Sequence, residues 1–225
     1  MNFKYKNLFL ALIALALTGT GCFKDLDTEP LDPDEITAAN VYDDPAAYRQ
    51  VLAKLYAGLA VTGQEGPSGK PDISGIDEGF GQYLRGLWYH SELPTDEAVV
   101  GWNDQTIKDF HEQDWDENDN FIAAFYYRIF YQISVCNEFL RQTTDDKLNA
   151  RGVDAALRAE IQTFRAEARF LRALSYWHAL DHFRNVPFVT EQDEVGAFFP
   201  PQTNAADLFN YIESELLDIE GELLP

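Results

Sequence analysis

Apolar residues recur at helical spacing along residues 155–189, the most strongly patterned segment of the chain. Successive apolar positions lie four or three residues apart: Leu157, Ile161, Phe164, Ala168 and Leu171. This spacing is typical of an amphipathic helix with one buried face. Pro187 marks its end, because the residue before a proline avoids the α-helical region. The pattern predicts a single helix of about seven or more turns.

Small residues alternate with large ones in this segment, which would let neighbouring helix backbones come close. They are Ala166, Ala168, Ala173, Ser175 and Ala179. Four arginines lie largely off the apolar stripe: Arg158, Arg165, Arg169 and Arg172. We expect Glu160 and Glu167 to pair with them at helical spacing. The segment is therefore the axis helix of a helical array.

Four other segments show the helical period. The first has Asp43 or Asp44 as its N-cap and Pro45 at its first helical position, and it ends near residue 59. The others cover about 80–90, 118–141 and 204–223. A polar turn at 143–152 separates the helix over 118–141 from the axis helix, so we expect these two to pack antiparallel.

The remaining segments, at 61–81, 91–120 and 190–203, lack a period and are interrupted by glycine or proline. The sequence therefore predicts an all-α fold with long irregular loops. Antiparallel helix pairs with small residues at their contacts indicate a tetratricopeptide-like array, although no exact repeat of 34 residues is visible.

The N-terminus carries the pattern of an export signal over residues 1–21. Lys4 and Lys6 precede ten apolar residues at 8–17, too few to span a bilayer as a helix. Small residues then lead to Cys22, as in a bacterial lipobox, so we expect Cys22 to carry a lipid anchor. Residues 22–43 have no strong period and read as a tether arm. The helical domain occupies residues 44–225.

Composition narrows the possible functions. The formal net charge of −21 disfavours binding to nucleic acid or to an anionic membrane surface. An aromatic content of 14% indicates a folded domain and not a disordered acidic tail. Cys136 falls on the apolar face of a predicted helix, so we expect it to be a small core residue.

Two clusters could bind metal, and for both the sequence favours a structural interpretation. His178, Asp181 and His182 share one side of the axis helix, but no third ligand of zinc type is identifiable. Residues 114–119 alternate oxygen ligands without the glycine and the bidentate glutamate of a calcium loop. Polar packing within a helix bundle explains the histidine cluster better than zinc binding, and an acidic N-cap explains residues 114–119 better than calcium binding. We predict no metal, no cofactor and no catalytic residue.

Aromatic residues in the irregular segments are the more promising feature. Trp88, Trp102 and Trp115 lie in or beside loops, where binding residues concentrate. Flat rings suit the apolar faces of sugars, and the candidate hydrogen-bonding residues nearby are Arg85, Asn103 and Asp104. For Trp88 on a helix, packing is the favoured role. For Trp102, between Gly101 and Asn103, packing and ligand binding both stay open.

The axis helix and the residues after it resemble the signature of the SusD/RagB family of outer-membrane nutrient-binding lipoproteins. The matching residues are Glu167, Ala168, Arg169, Phe170, Leu171, Arg172, Ala173, Tyr176, Phe183, Val186 and Pro187. The family usually has glycine where this chain has Arg184 or Asn185. Further similarity lies at Tyr131 or Tyr127, at Ile133 and at residues 137–140, and in the loop that carries Asp96, Glu97 and Trp102.

The resemblance implies a lipid-anchored protein of the outer membrane, facing the cell exterior. Such a protein would bind a nutrient glycan and pass it to a SusC-like TonB-dependent transporter, by capture and not catalysis. It also implies that this chain is the N-terminal part of a longer protein. Two alternatives stay open: a surface carbohydrate-active hydrolase, and a helical-repeat protein that binds peptides or proteins.

Overall fold

The computed structural model describes residues 40–63, 71–76, 78–196 and 199–223. Residues 1–40 and 41–225 separate into two units, and the helices that the structure describes belong to the second. They are α1 (Ala47–Ala57), α2 (Tyr83–Glu92), α3 (Gln105–Glu112), α4 (Asn120–Gln142), α5 (Asp145–Ala150), α6 (Ala155–Phe183) and α7 (Ala205–Ile219). Short 3-10 turns occupy Val41–Asp43 and Glu78–Phe80. The described part contains no strand, only two isolated bridges. The prediction of an all-α array with long loops is confirmed.

Helix α6 is the axis of the array, as predicted. Asp154 caps its first turn by accepting a hydrogen bond from the Leu157 amide at 2.9 Å, and the helix then continues for 29 residues. It runs antiparallel to α4, since Arg165 donates to the Leu140 carbonyl and Arg172 to the Asn137 side chain. It is also antiparallel to α7, through the pairing of Arg169 with Glu215.

The apolar stripe of α6 is buried, together with the small residues that lie beside it. Exposure is 1% or less for Ile161, Ala166, Ala168, Leu171, Ala173, Tyr176 and Ala179. The prediction of close helix contacts at the alanines is therefore confirmed. These contacts allow α1, α4 and α7 to pack around one central helix.

Two glycines mark places where helices approach closely. A Cβ on Gly86 of α2 would lie 2.9 Å from a ring carbon of Phe125 on α4. A Cβ on Gly58, just after α1, would lie 2.4 Å from Oε1 of Gln132. The same Gln132 donates to the Leu55 carbonyl at 2.7 Å and satisfies the end of α1. Both α1 and α2 are thereby fixed against α4.

Three predicted boundaries were wrong. Helix α3 lies inside the segment 91–120 that was predicted to be irregular, and α5 lies inside the polar turn at 143–152. Each is short and has one or two buried side chains: Ile107 and Phe110 in α3, and Leu148 in α5. Such short elements carry too few apolar positions for a period to be detected. Helix α1 begins at Ala47, where Asp44 accepts from the Ala46 amide.

The expected pairs of the axis-helix arginines with Glu160 and Glu167 are also wrong. Glu160 pairs with Arg49 of α1 at 2.7 Å, and Glu167 accepts a hydrogen bond from the Tyr56 hydroxyl at 2.6 Å. Arg172 lies off the stripe but is only 2% exposed, because α7 and the segment after α6 cover that side. The periodicity of one helix cannot reveal a second helix that packs on its polar face.

The chain leaves α6 through a tight turn at Arg184. This residue has φ 63° and ψ −70°, and the Asn185 amide donates to the Phe183 carbonyl at 2.7 Å. These are the features of a γ-turn with positive φ, a conformation that favours glycine. Val186 is buried directly after the turn.

Within the described residues no helix is both long enough and apolar enough to cross a bilayer. The predicted export signal at 1–21 and Cys22 lie outside those residues. So does the predicted tether arm, except for its last four residues, 40–43.

Candidate ligand-binding cavity

An open cavity of about 800 Å³ lies where α3 and α4 begin. Its walls come from four separate parts of the chain: the residues before the second 3-10 turn, that turn itself, the start of α3 and the start of α4. The lining residues are Gly75, Ile76, Phe80, Trp102, Asn103, Asp104, Thr106, Asn120 and Phe121. The cavity therefore combines three aromatic side chains with four polar ones.

Trp102 is half-buried at the cavity wall, with other aromatic rings against it. The ring of Phe80 lies 5.0 Å from it at an angle of 63°, and that of Tyr89 lies 6.4 Å away at 78°. Tyr89 in turn contacts Phe121 at 5.4 Å. Edge-on contacts of this kind hold rings in fixed orientations. The indole is therefore presented to the cavity by a rigid aromatic cluster.

Arg85 supports this aromatic cluster and does not line the cavity. Its guanidinium carbon lies 5.0 Å from the centre of the Phe80 ring and 5.5 Å from that of Trp102. Its hydrogen bonds go to the Gly79 carbonyl, at 2.6 Å, and to the Tyr89 hydroxyl. Cation–π contact and hydrogen bonding thus fix the wall from behind. This placement differs from the expected role of Arg85 in direct hydrogen bonding to a ligand.

Asn103 and Asp104 extend the cavity on its polar side, and both are exposed. The amide oxygen of Asn103 accepts from Lys108 Nζ at 2.9 Å. Asp104 stands at the N-cap position of α3, yet its side chain makes no capping hydrogen bond. An N-cap aspartate usually bonds to the second or third amide of its helix. Its carboxylate is therefore available to accept hydrogen bonds from a ligand.

Of the five candidate binding residues, the structure brings three together at the cavity: Trp102, Asn103 and Asp104. Trp88 lies elsewhere, 44% exposed on α2 with its ring against Tyr89. Sequence reasoning did not identify Phe80, Thr106, Asn120 or Phe121 as lining residues. They are distant along the chain, and only the folding of α3 and α4 brings them beside Trp102.

One of the acidic residues before α4, Asp119, is its N-cap, as the sequence indicated, and Asp116 stabilises the loop before it. Asp119 accepts from the Phe121 amide at 2.8 Å and from the Ile122 amide at 3.2 Å. Asp116 accepts from the Asn118 amide at 2.7 Å. Burial raises the pKa of Asp119 above its usual value, although both capping amides oppose the shift. This cap fixes the start of α4, which forms one wall of the cavity.

The axis-helix histidines pack inside the bundle, also as predicted. His178 Nδ1 lies 2.8 Å from the Tyr83 hydroxyl, and the ring of His182 lies 5.2 Å from that of Phe125. Burial lowers the pKa of His178 to about 4, so its imidazole is neutral at pH 7. Among the described residues, no group of three or more His, Cys, Asp or Glu side chains could hold a metal ion.

Cys136 is fully buried in α4, and burial raises the pKa of its thiol to about 12. It is a core residue, as expected. A thiol that stays protonated at neutral pH is not a nucleophile.

Comparison with known proteins relates this chain and its helical array to SusD-like proteins. The starch-binding protein SusD of Bacteroides thetaiotaomicron is 37% identical over an alignment 227 positions long, which covers 99% of this chain. The alignment covers 38% of SusD, so the chain spans about two fifths of the length of that relative. No protein-family model matches the chain. The sequence resemblance to the SusD/RagB family is confirmed, and the chain is homologous to SusD across nearly its whole length.

A solved structure supports the fold. A SusD-like carbohydrate-binding protein of Bacteroides fragilis superposes with a TM-score of 0.51 over 81% of this chain and 32% of its own. The two sequences are 18% identical, so this comparison establishes a common fold and nothing finer. The helical arrangement around α6 is therefore shared with a SusD-like protein.

Proposed function

We propose that this chain forms the glycan-capturing part of a cell-surface lipoprotein. The observation that carries the proposal is the cavity at the start of α3, where Trp102 stands beside Asn103 and Asp104. The homologous SusD is a starch-binding protein, and the structural neighbour is a carbohydrate-binding protein. Both names support a glycan as the ligand of this cavity.

The chemistry of the cavity suits an uncharged sugar chain. The indole face of Trp102 stacks on the apolar face of a sugar ring, while Asp104 accepts hydrogen bonds from its hydroxyl groups. Among the described residues that line the cavity, Asp104 is the one with an ionisable side chain. A carboxylate at this position, in a chain of net charge −21, repels glycans that carry uronate or sulfate groups. The mechanism is capture, and no residue of the cavity is assigned a catalytic step.

The proposal is tested by the Asp104→Ala variant in native gels that contain starch, dextran or inulin. We expect wild-type protein to be retarded by one of these polysaccharides, and the variant to lose affinity about tenfold, which corresponds to ~1.4 kcal/mol. No described residue donates a hydrogen bond to the Asp104 side chain, so the melting temperature of the Asp104→Ala variant should equal that of the wild type.

Trp102→Ala should weaken binding at least as much, whereas Trp88→Ala is the matched control, because Trp88 is exposed but does not line the cavity. Equal retardation of wild type, Asp104→Ala and Trp102→Ala would exclude this cavity as the binding site. Release of reducing sugar by the wild type would instead indicate a hydrolase.

The anchor is a separate part of the proposal, supported by the sequence alone. The apolar residues 8–17 precede Cys22 in the pattern of a lipoprotein signal, and residues 22–43 would tether the domain to the exterior of the outer membrane. Two or more lipid chains give stable anchoring, since each buried methylene contributes about 0.8 kcal/mol. Cys22→Ala should move the protein from the membrane fraction to the soluble fraction. Continued sedimentation with outer membranes would contradict lipidation at this residue.

A SusC-like TonB-dependent transporter is the proposed partner that receives the glycan. The support is the resemblance of the sequence to the SusD/RagB family, together with the homology to SusD. Purification of the lipid-anchored protein in mild detergent should recover a large β-barrel transporter in stoichiometric amount. Recovery of the lipoprotein alone would argue against a stable complex.

A further inference from the structure

A second aromatic cleft lies at the opposite end of α3 from the proposed glycan cavity. Its volume is about 520 Å³, and it shares no lining residue with the cavity. The walls come from the end of α2, the end of α3, the loop before α4 and the end of α6. The side chains used below are His90, Phe110, Trp115, Asp116, Glu117 and His182.

Trp115 gives this cleft an accessible aromatic face. The side chain is 45% exposed, although it belongs to a loop that is held in place on both sides. Phe110 packs behind it, with ring centres 6.3 Å apart and planes inclined by only 34°. The loop itself is fixed by Gln113, which adopts φ 57° and donates to the Pro94 carbonyl at 2.8 Å. The indole is thus held in contact with the buried Phe110 ring and stays 45% exposed at the cleft, where a sugar ring could stack on it.

Hydrogen-bond acceptors stand beside this ring. Asp116 and Glu117 are both exposed, and the carboxylate of Glu117 makes no hydrogen bond to any described residue. None of the described residues that line the cleft is a lysine or an arginine. At its base His90 and His182 pack together, with ring centres 5.6 Å apart, and burial lowers the pKa of His90 to about 4. The base is therefore uncharged at pH 7, and the rim carries acceptors only.

We propose that this cleft is a second binding site for an uncharged glycan, with Trp115 as the stacking ring and Glu117 as the hydroxyl acceptor. The inference rests on the proposed function, because it assigns the same ligand class to a site with the same combination of groups. Helix α3 has eight residues, so about 12 Å of helix separates the ends at which the two sites lie. A polysaccharide presents many equivalent units, so it gains avidity from occupying both sites, whereas a trisaccharide does not.

Calorimetry on the full chain tests this inference. Maltotriose, isomaltotriose and kestose are titrated into wild type, Trp115→Ala, Trp102→Ala and the double variant. We expect the trisaccharide that binds to occupy two sites in wild type, one in each single variant and none in the double variant. The parent polysaccharide should bind Trp115→Ala at least tenfold more weakly than wild type. Trp88→Ala should keep both sites.

The outcomes separate this inference from the proposed function. If Trp115→Ala retains the wild-type stoichiometry and polymer affinity while Trp102→Ala loses binding, the second site is excluded and the first stands. If wild type binds none of the three sugars and none of their polymers, both fail. If the Trp115→Ala variant unfolds, the Glu117→Ala variant is titrated in its place, because no described residue donates a hydrogen bond to the Glu117 carboxylate. An unchanged stoichiometry and polymer affinity in a folded Glu117→Ala variant would overturn the proposed role of Glu117.

Discussion

Arg172 shows how a single buried charge organises this fold. It is 2% exposed, and it donates hydrogen bonds to Asn137 on α4, to Glu191 after α6 and to Glu215 on α7. Burial raises the pKa of Glu215, but the hydrogen bonds and charges of Arg169 and Arg172 outweigh it, and the pKa lies below its usual value. One arginine of the family signature therefore joins three separate segments.

Removal of Arg172 should be strongly destabilising. Arg172→Leu would leave the buried Asn137 and the partly buried Glu191 without this partner, while Glu215 would keep only Arg169. Breaking such a pair should lower the free energy of unfolding by about 3 kcal/mol, the lower end of the range for buried ion pairs. Arg49 is the matched control, since it also pairs with a glutamate but is 73% exposed. Arg49→Leu should lose less than about 1 kcal/mol. Urea unfolding of both variants measures the difference, and equal losses would contradict the proposed role of burial.

Two buried histidines predict a pH dependence of stability. Burial, the largest contribution in each case, lowers the pKa of His90 and of His178 to about 4, whereas the value in an unfolded chain is about 6.5. Between these pH values the unfolded state binds more protons than the folded state. The two histidines therefore leave the free energy of unfolding unchanged above pH 6.5. As the pH decreases toward 4, each lowers it by up to about 1.4 kcal/mol per pH unit.

Urea midpoints at pH 7 and pH 5 test this expectation, since ion-paired carboxylates with lowered pKa lose their contribution only at lower pH. His90→Phe should reduce the change between the two pH values, because Phe110 and Phe125 already surround this ring. The control is His111→Gln, at an exposed position. A midpoint that does not change between pH 7 and pH 5 would contradict the neutral state of the buried imidazoles.

Part of the candidate cavity was predictable because three of its residues are neighbours in the sequence. Trp102, Asn103 and Asp104 occupy one loop, and their types made sugar binding one of the two roles that stayed open for Trp102, beside packing. Phe80 and Phe121 could not be assigned, since each belongs to an aromatic group whose other members come from distant segments. For the same reason, the sequence could not show that the guanidinium of Arg85 packs against the rings of Phe80 and Trp102.

At the level of helices, length decided what the sequence could predict. Helices α4 and α6 have 23 and 29 residues, enough for their apolar period to be recognised. Helix α3 has eight residues and was not predicted, although it separates the two aromatic sites. Its position depends on Ile107 and Phe110, which pack against Tyr89 and Leu93 of the preceding segment. Tertiary contacts, and not local period, determine such a helix.

The close contacts of α6 predict a clear response to a larger side chain. Ala168 is fully buried, so Ala168→Leu forces an overpacked core and should lower the free energy of unfolding by about 1–3 kcal/mol. Ala156→Leu is the matched control, because it makes the same change at an exposed position of the same helix. Thermal unfolding measures both. A melting temperature unaffected by Ala168→Leu would mean that the helix packs less tightly than its alanines indicate.

The helical domain combines high negative charge with one apolar surface groove. The groove lies between α6 and α7, has a volume of about 530 Å³ and is lined mainly by Phe170, Leu174, Trp177, Phe209, Ile212, Leu216 and Leu217. Isolated apolar side chains on a surface are ordinary, but a contiguous group favours association. A net charge of −21 opposes association between copies of the chain. At physiological ionic strength, salt largely removes this repulsion between charges that lie more than about 8 Å apart.

The balance between the groove and the net charge predicts self-association that increases with salt. Light scattering of this chain should show monomers at low ionic strength and larger species in concentrated sodium chloride. Leu217→Glu places a charge in the groove and should keep the chain monomeric at high salt. Val99→Glu is the matched control, since Val99 is 67% exposed and Leu217 66%, but Val99 lies outside the groove. If both variants suppress association equally, net charge alone would explain it, and the groove would have no part in it.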